Sequence, residues 1–306
     1  MEYRRLGKTG LMISAVALGG HWKGLAGVLG RPFRGSGYDD ADFENILAPD
    51  FIANRDAVVS RAIELGVNYV DACAPAEVLA YSRALAGRRG AMLLGYSWHT
   101  REPRFAEWRT AARLVEGLET SLREAKLEAV DVWRVSLPAD GIEDAGERRR
   151  IEEATAGALA LAKRQGKARF TGVSSHDAAW LRMMLAAYPE QIEVVLFPLP
   201  AGAAADALFE AARASGAGVL GIKPFGGGAL FTGDGCDGWR ARLAIRRILA
   251  NPSLAATVPG CASVEQLTNA VAAAAEPRAL DAEERAELER SCVAMRGRLP
   301  EWLRRS

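Results

Sequence analysis

Eight times along this chain a short apolar run is followed by a longer amphipathic one, and few folds accept that rhythm. The apolar runs fall at residues 15–18, 67–71, 91–96, 130–136, 168–173, 192–197, 218–223 and 255–258. The helical stretches between and after them are 55–65, 77–86, 105–125, 147–164, 177–188, 204–214, 239–249 and 263–275. Strands that alternate with helices of this length pair in parallel, and eight units make an α/β TIM (β/α)8 barrel. An open doubly wound sheet is the other arrangement to weigh. It is disfavoured because no GxGxxG opens a strand-to-helix turn.

The remaining segments decorate that ring. Residues 3–6 and 11–14 flank Lys8-Thr9-Gly10 and read as an N-terminal hairpin. A charged helix over 281–295 and a tail over 299–305 follow the eighth unit as a C-terminal extension. No linker or low-complexity stretch interrupts the chain, so one domain over 1–306 is expected. The long segment 21–53 after the first strand carries Trp22, Phe33, Tyr38 and Phe43, with acids at Asp39, Asp40, Asp42 and Glu44. A loop of that length hanging over a barrel mouth is either a lid-like pocket wall or a packed surface insertion.

In such a barrel the chemistry sits where strands end. Gly66-Val67-Asn68-Tyr69-Val70-Asp71-Ala72-Cys73 reads as a strand that ends on a carboxylate. Asp71 is then a site residue, or else it caps the next helix. Arg134 shares a strand face with Ser136 and should project into the barrel. A charge there needs a partner, and Asp71 or Glu77 is at hand. Glu77 otherwise stabilises the start of its own helix.

Composition limits the partners. The chain has a formal net charge of +1, which gives nucleic acid no electrostatic footing. Its four cysteines are scattered without a CxxC pair, so neither a disulfide framework nor a metal site is expected, and a cytoplasmic setting is the simplest reading. No run reaches the roughly 18 apolar residues of a membrane span. Nothing in the pattern fixes an oligomeric state.

Five motifs carry a family resemblance. Tyr3-Arg4-Arg5-Leu6-Gly7-Lys8-Thr9-Gly10-Leu11 and Gly66 to Ala72 resemble the opening hairpin and second strand of aldo-keto reductases. Gly166-Lys167-Ala168-Arg169-Phe170-Thr171-Gly172-Val173-Ser174-Ser175-His176 is similar to the fifth strand of that family. Lys223-Pro224-Phe225-Gly226-Gly227-Gly228 resembles the end of its seventh strand, and Val258-Pro259-Gly260 with Asn269 its eighth. The resemblance implies a TIM barrel that binds NADP(H) or NAD(H) and interconverts carbonyls and alcohols on a small molecule.

It also implies roles. Lys223, Pro224, Phe225, Gly226, Gly227, Gly228 and Gly260 would surround the cofactor phosphates, with backbone N–H groups left open by glycine. Ser263 begins a helix in capping-box spacing with Gln266, and Gln266 and Asn269 fit adenine contacts. Ser174 and Ser175 stand where the family holds the nicotinamide amide. Between Asn251 and Pro277 there is no Lys or Arg to grip a 2′-phosphate, so NADP is not assumed over NAD. Each charge-assisted hydrogen bond forgone there is worth about 1.5–3 kcal/mol.

The catalytic slots depart from the family. Asp71 fits, but the Tyr slot holds Ala76, the Lys slot Tyr96 and the His slot Ser136. Either other groups take over, or carbonyl reduction has been lost and the barrel binds a ligand. Tyr96 is the candidate proton donor, with Tyr81 a second phenol, Arg134 the fixed charge, and Asp71 and Ser136 the other catalytic candidates by their slots. Trp22 and His99 are the substrate-binding candidates, and His176 a further histidine near the mouth; core tyrosines and surface histidines are the plainer alternatives.

Overall fold

The structure is a computed structural model that describes residues 1–22, 24–33, 45–138, 142–299 and 303. Tyr38, Phe43 and the acidic cluster Asp39, Asp40, Asp42 and Glu44 lie outside the described residues, as does most of the tail.

Two strands, β1 (Tyr3–Arg5) and β2 (Met12–Ser14), pair antiparallel, with Arg4 opposite Ile13. Eight more strands form one parallel sheet in sequence order: β3 (Leu18–Gly19), β4 (Tyr69–Ala72), β5 (Leu93–Tyr96), β6 (Val130–Ser136), β7 (Ala168–Ser174), β8 (Val194–Pro198), β9 (Gly218–Ile222) and β10 (Leu254–Val258). The ring closes where Val16 bridges Thr257, and the Gly19 N–H donates to the Pro259 carbonyl at 2.9 Å. This is the expected TIM barrel, with its hairpin and its C-terminal helix.

The helices are α1 (Leu25–Leu29), α2 (Pro49–Glu64), α3 (Pro75–Ala84), α4 (Ala111–Glu124), α5 (Ala145–Arg164), α6 (Ala178–Ala187), α7 (Asp206–Ser215), α8 (Asp237–Leu249), α9 (Val264–Ala275) and α10 (Ala282–Arg298). Five of these start on side-chain caps: Thr110, Asp144, Asp177, Ser263 and Asp281 each accept a backbone N–H three residues on. Several boundaries differ from the sequence reading: the first barrel strand is Leu18–Gly19 rather than 15–18, the last helix runs on to Arg298, and two helix starts shift for a clear reason. Helix α2 begins at Pro49 rather than residue 55, because proline suits the first helical turn. The helix expected from residue 105 begins at Ala111, since Ala106–Trp108 forms a separate 3-10 turn ahead of the Thr110 cap.

Strand alternation divides the core in two. Tyr69, Val132, Val194, Leu196 and Leu220 point inward and pack with Leu6 and Ile13 of the hairpin. Val70, Leu94, Tyr96, Trp133 and Val195 point outward against the helices. Each such side chain, withdrawn from water, contributes about 1.5–3 kcal/mol. Gly95 matters to the inner layer because a Cβ there would overlap the Tyr69 hydroxyl. Asn68 ties hairpin to barrel: its side chain accepts from the Ser14 N–H at 2.8 Å and donates to the Met12 carbonyl at 2.9 Å. Register then sets the level of the mouth residues, with Asp71 beside Gly95, Arg134 beside Gly172 and Ser136 beside Ser174.

Candidate active site

A cavity of about 1090 Å³ opens at the C-terminal ends of the strands. That is the upper end of the range for small-molecule and cofactor sites. Its floor carries an ion pair that strand alternation dictates. Asp71 at the end of β4 and Arg134 on β6 both point inward. Arg134 Nε donates to Asp71 Oδ1 at 2.9 Å and Nη2 to Oδ2 at 2.7 Å. Nη1 donates to the Ser97 hydroxyl at 2.8 Å and reaches Ser174 at 3.5 Å, and Nη2 also faces the Ala72 carbonyl at 3.3 Å. Both side chains are buried. Burial lifts the Asp71 carboxyl above its usual value although Arg134 opposes the shift. Burial works against the Arg134 charge, but Asp71 outweighs it and holds the guanidinium above its ordinary value. With its donors committed to the barrel wall, Arg134 organises the floor and has none to spare for a substrate. Asp71 does not cap the next helix; that task falls to Glu77.

A second cluster sits on the rim between β3, β4 and α3. The Glu77 carboxylate is buried and accepts from the backbone N–H groups of Cys73 and Ala74, each at 3.2 Å, which closes the first turn of α3. Its other oxygen accepts from the His21 N–H at 2.5 Å and lies 2.9 Å from His21 Nδ1. Burial pushes the Glu77 carboxyl up, but the His21 contacts prevail and the net shift is downward. His99 Nδ1 lies 3.4 Å from the Cys73 carbonyl; burial and then Arg104 bring its pKa down to about 4. Across the cavity Lys223 Nζ meets His176 Nε2 at 3.1 Å, and burial followed by that cation brings His176 down to about 3.

The model of the aldo/keto reductase family matches residues 53–238, more than half of the chain. The chain belongs to the aldo/keto reductase family. Among solved structures it is similar to the holo form of aldo-keto reductase AKR11C1 from Bacillus halodurans, at 21% identity and a TM-score of 0.64, over 95% of this chain and 96% of that one. The apo form of the same protein gives a TM-score of 0.61, at 21% identity and the same coverage. A Pseudomonas aeruginosa protein assigned to the aldo-keto reductases has a TM-score of 0.63 at 21% identity, over 89% of this chain and 94% of that one. No curated protein matches the chain significantly.

Within this aldo/keto reductase barrel, one cavity wall gathers Lys223, Pro224, Phe225, Gly227, Gly228 and Gly260. Gln266 and Asn269 extend that wall, and Ser174, Ser175 and His176 join it to the floor. Gly226, Gly227 and Gly228 have φ of 58°, 65° and 92°, a conformation that glycine adopts readily. Gly226 does not line the cavity: it faces α10, where a Cβ would lie 2.7 Å from the Met295 sulfur. Ser263 is likewise off the wall, its hydroxyl accepting from the Gln266 N–H at 3.2 Å as a cap. The stretch 251–277 lacks a cation, but α8 brings one: Arg242 donates to Asn269 at 3.3 Å and also pairs with Glu276.

Three aromatic expectations need correcting. Tyr96 points outward, because Gly95 and not Tyr96 shares the inward face with Asp71 in the paired strand. Its hydroxyl is wholly buried beside Ser82 without a hydrogen bond of good geometry, and burial raises its pKa. It cannot reach a substrate at the mouth. Trp22 is buried away from the cavity, its indole N–H donating to the Tyr81 hydroxyl at 3.1 Å and its ring packed on Phe51 and under Arg55. Tyr81 in turn donates to the Gly19 carbonyl at 2.7 Å. Phe33 stacks on Phe51, so the described aromatics of 21–53 pack onto α2; only His21 and Gly24 of its described residues line the cavity.

Four residues escaped the sequence reading. Ser97 continues the inward series Leu93, Gly95, Ser97, so alternation carried one residue further would have found it. Arg104 lines the cavity from the loop after β5. Glu102, on the same loop, is buried behind Ser136 and accepts its N–H at 3.0 Å. His21 stands directly after Gly19-Gly20, where the first strand ends.

Proposed function

We propose that the protein is an NAD(P)(H)-dependent oxidoreductase that interconverts a carbonyl and an alcohol on a small molecule, with a rebuilt proton-handling apparatus. The observation that carries this is the continuity of the cavity: one space joins the glycine-rich wall to the Asp71–Arg134 floor. The glycines at 227 and 228 present backbone without obstruction, Lys223 supplies a cation, and Gln266 and Asn269 offer polar edges to a nucleoside. When bound, the nicotinamide would supply or accept the hydride.

The chain's own residues handle charge and protons. Asp71 and Arg134 fix the floor and hold Ser97 and Ser174. Ser174 donates to the Ser136 hydroxyl at 2.9 Å, and Ser136 is the half-buried hydroxyl on the cavity wall. Behind it burial raises the Glu102 carboxyl, against the pull of Arg104 and of the Ser136 contacts. A carboxyl set behind a wall hydroxyl can exchange protons with the site, the task the absent tyrosine would have performed. His99 and Arg104 border the space left for substrate. Residues 1–306 would act as one unit, with His21 and Gly24 of the segment 21–53 at its wall, in the cytoplasm and without nucleic acid. Among the described residues no helix is long and apolar enough to cross a membrane.

A second reading has a specific observation behind it. Ala76 and Ser136 occupy catalytic slots, and Tyr81 and Tyr96 both face the core. The barrel would then hold cofactor or another small ligand without ordinary reduction. Fluorescence titration with NADPH and NADH, followed by turnover over a carbonyl panel, separates the two. Binding with turnover supports the reductase. Binding without turnover in either direction supports the second reading, and no binding removes both cofactor claims.

A further inference from the structure

The sequence offered no metal motif, yet the fold brings three different donor types to one point on the rim. His21 arrives from the end of β3, Cys73 from the end of β4, and Glu77 from the first turn of α3. His21 Nδ1, Cys73 Sγ and a Glu77 carboxylate oxygen all lie within 4.8 Å of one another. Nδ1 is 2.9 Å from one Glu77 oxygen, and Sγ is 3.9 Å from the other. Tetrahedral coordination with bonds of about 2.0–2.3 Å places neighbouring ligand atoms about 3.3–3.7 Å apart. These two contacts fall on either side of that range and all three donors lie within 4.8 Å, so side-chain movement on the order of 1 Å gathers them round one ion.

The surroundings are built for this arrangement. Gly20 leaves room for the carboxylate, since a Cβ there would overlap the Glu77 side chain. His21 is held at φ 55°, a left-handed conformation that turns its ring toward Glu77. Glu77 is locked by two backbone N–H groups from the Cys73 side, which fixes the carboxylate in the way outer-shell contacts orient ligands. All three residues line the cavity.

We infer that His21, Cys73 and Glu77 form a binding site for one divalent transition-metal ion of the zinc type. The nitrogen, thiolate and carboxylate donors suit a borderline-soft cation. Two anionic ligands balance its charge. Three protein ligands leave a coordination position that opens to the cavity, which is the pattern of catalytic rather than structural zinc. The role of the ion rests on the oxidoreductase reading above: at this place it would be the electrophile for a substrate oxygen, a function left vacant by the missing tyrosine and histidine.

The test uses the full chain, stripped with chelator and without nicotinamide or substrate. It is dialysed against Zn²⁺ and its metal content measured, then titrated with Co²⁺ and its absorption recorded. One equivalent of Zn²⁺ per chain and a thiolate-to-cobalt charge-transfer band are expected. Cys73→Ser should abolish the band and His21→Asn should weaken Zn²⁺ binding by roughly a hundredfold or more; circular dichroism checks that both variants fold. Absence of the band or of stoichiometric Zn²⁺ in the unmodified protein overturns the site, as does undiminished affinity in both variants. Because no cofactor is present, this result is independent of whether NAD(P)H binds.

Discussion

Arg134 grips Asp71 with two parallel hydrogen bonds across the inside of the barrel, from β6 to β4, and both side chains are withheld from water. Such a pair contributes little beyond what well-packed apolar residues would, but losing one member strands a charge. Arg134→Met should therefore destabilise the fold by about 3–5 kcal/mol, read from urea denaturation. Arg134→Met combined with Asp71→Asn should recover a large part of that loss. A double variant as unstable as the single one would mean that Arg134 acts through Ser97 and Ser174 instead.

The histidines at the mouth predict an acid-side instability. His99 and His176 have folded-state pKa values of about 4 and about 3, below the unfolded value near 6.5. Between those limits the unfolded chain binds more protons than the folded one, so stability rises with pH. The neutral-imidazole contribution is present above about pH 6.5 and drains away as pH falls toward 4 and then 3. Thermal melts of His99→Gln over pH 4–7 should show a flatter dependence than the parent. An identical slope would show that other groups carry the acid transition.

Tyr96→Phe removes a buried hydroxyl that has no good partner and does not reach the cavity. Turnover should be unchanged, and stability should be equal or higher by up to about 1 kcal/mol. A fall in turnover with intact folding would return Tyr96 to the site.

Gly228 has φ 92° and lines the cavity. Gly228→Val places a β-branched side chain in a backbone region it avoids and pushes bulk toward the proposed cofactor wall. We expect NAD(P)H affinity to fall by about tenfold or more, equivalent to about 1.4 kcal/mol, in a fluorescence titration. Unaltered affinity in a folded variant would move the cofactor elsewhere. Comparing NADPH with NADH in the same titration reads the weight of Arg242, which reaches Asn269 while paired to Glu276.

Much of the scaffold was legible because it depends on local pattern. Apolar runs between amphipathic ones gave the ring, and the period of two gave the inward Arg134 that meets Asp71. The same period, applied to β5, turns Tyr96 outward through the alternation of Leu93, Gly95 and Ser97, whereas a family slot says nothing of which face a side chain takes. Trp22 departs from its expectation for another reason. An aromatic in a long segment looks available to a ligand, and only tertiary packing on Phe51 and Tyr81 shows that it is core. The meeting of His21 with Cys73 and Glu77 was invisible, because three residues up to 56 positions apart carry no spacing signal. It exists only once β3 and β4 lie side by side.

The hairpin has a kinetic meaning. Leu6 and Ile13 are fully buried in the inner layer, and Arg4 donates to the carbonyls of Leu249 and Leu254 at 2.7 and 2.9 Å, so one end of the ring is stoppered. Among the described residues the cavity is a blind recess, open toward the C-terminal ends of the strands and shut beneath by side chains. For any ligand of that cavity, entry and exit would then share one face of the barrel.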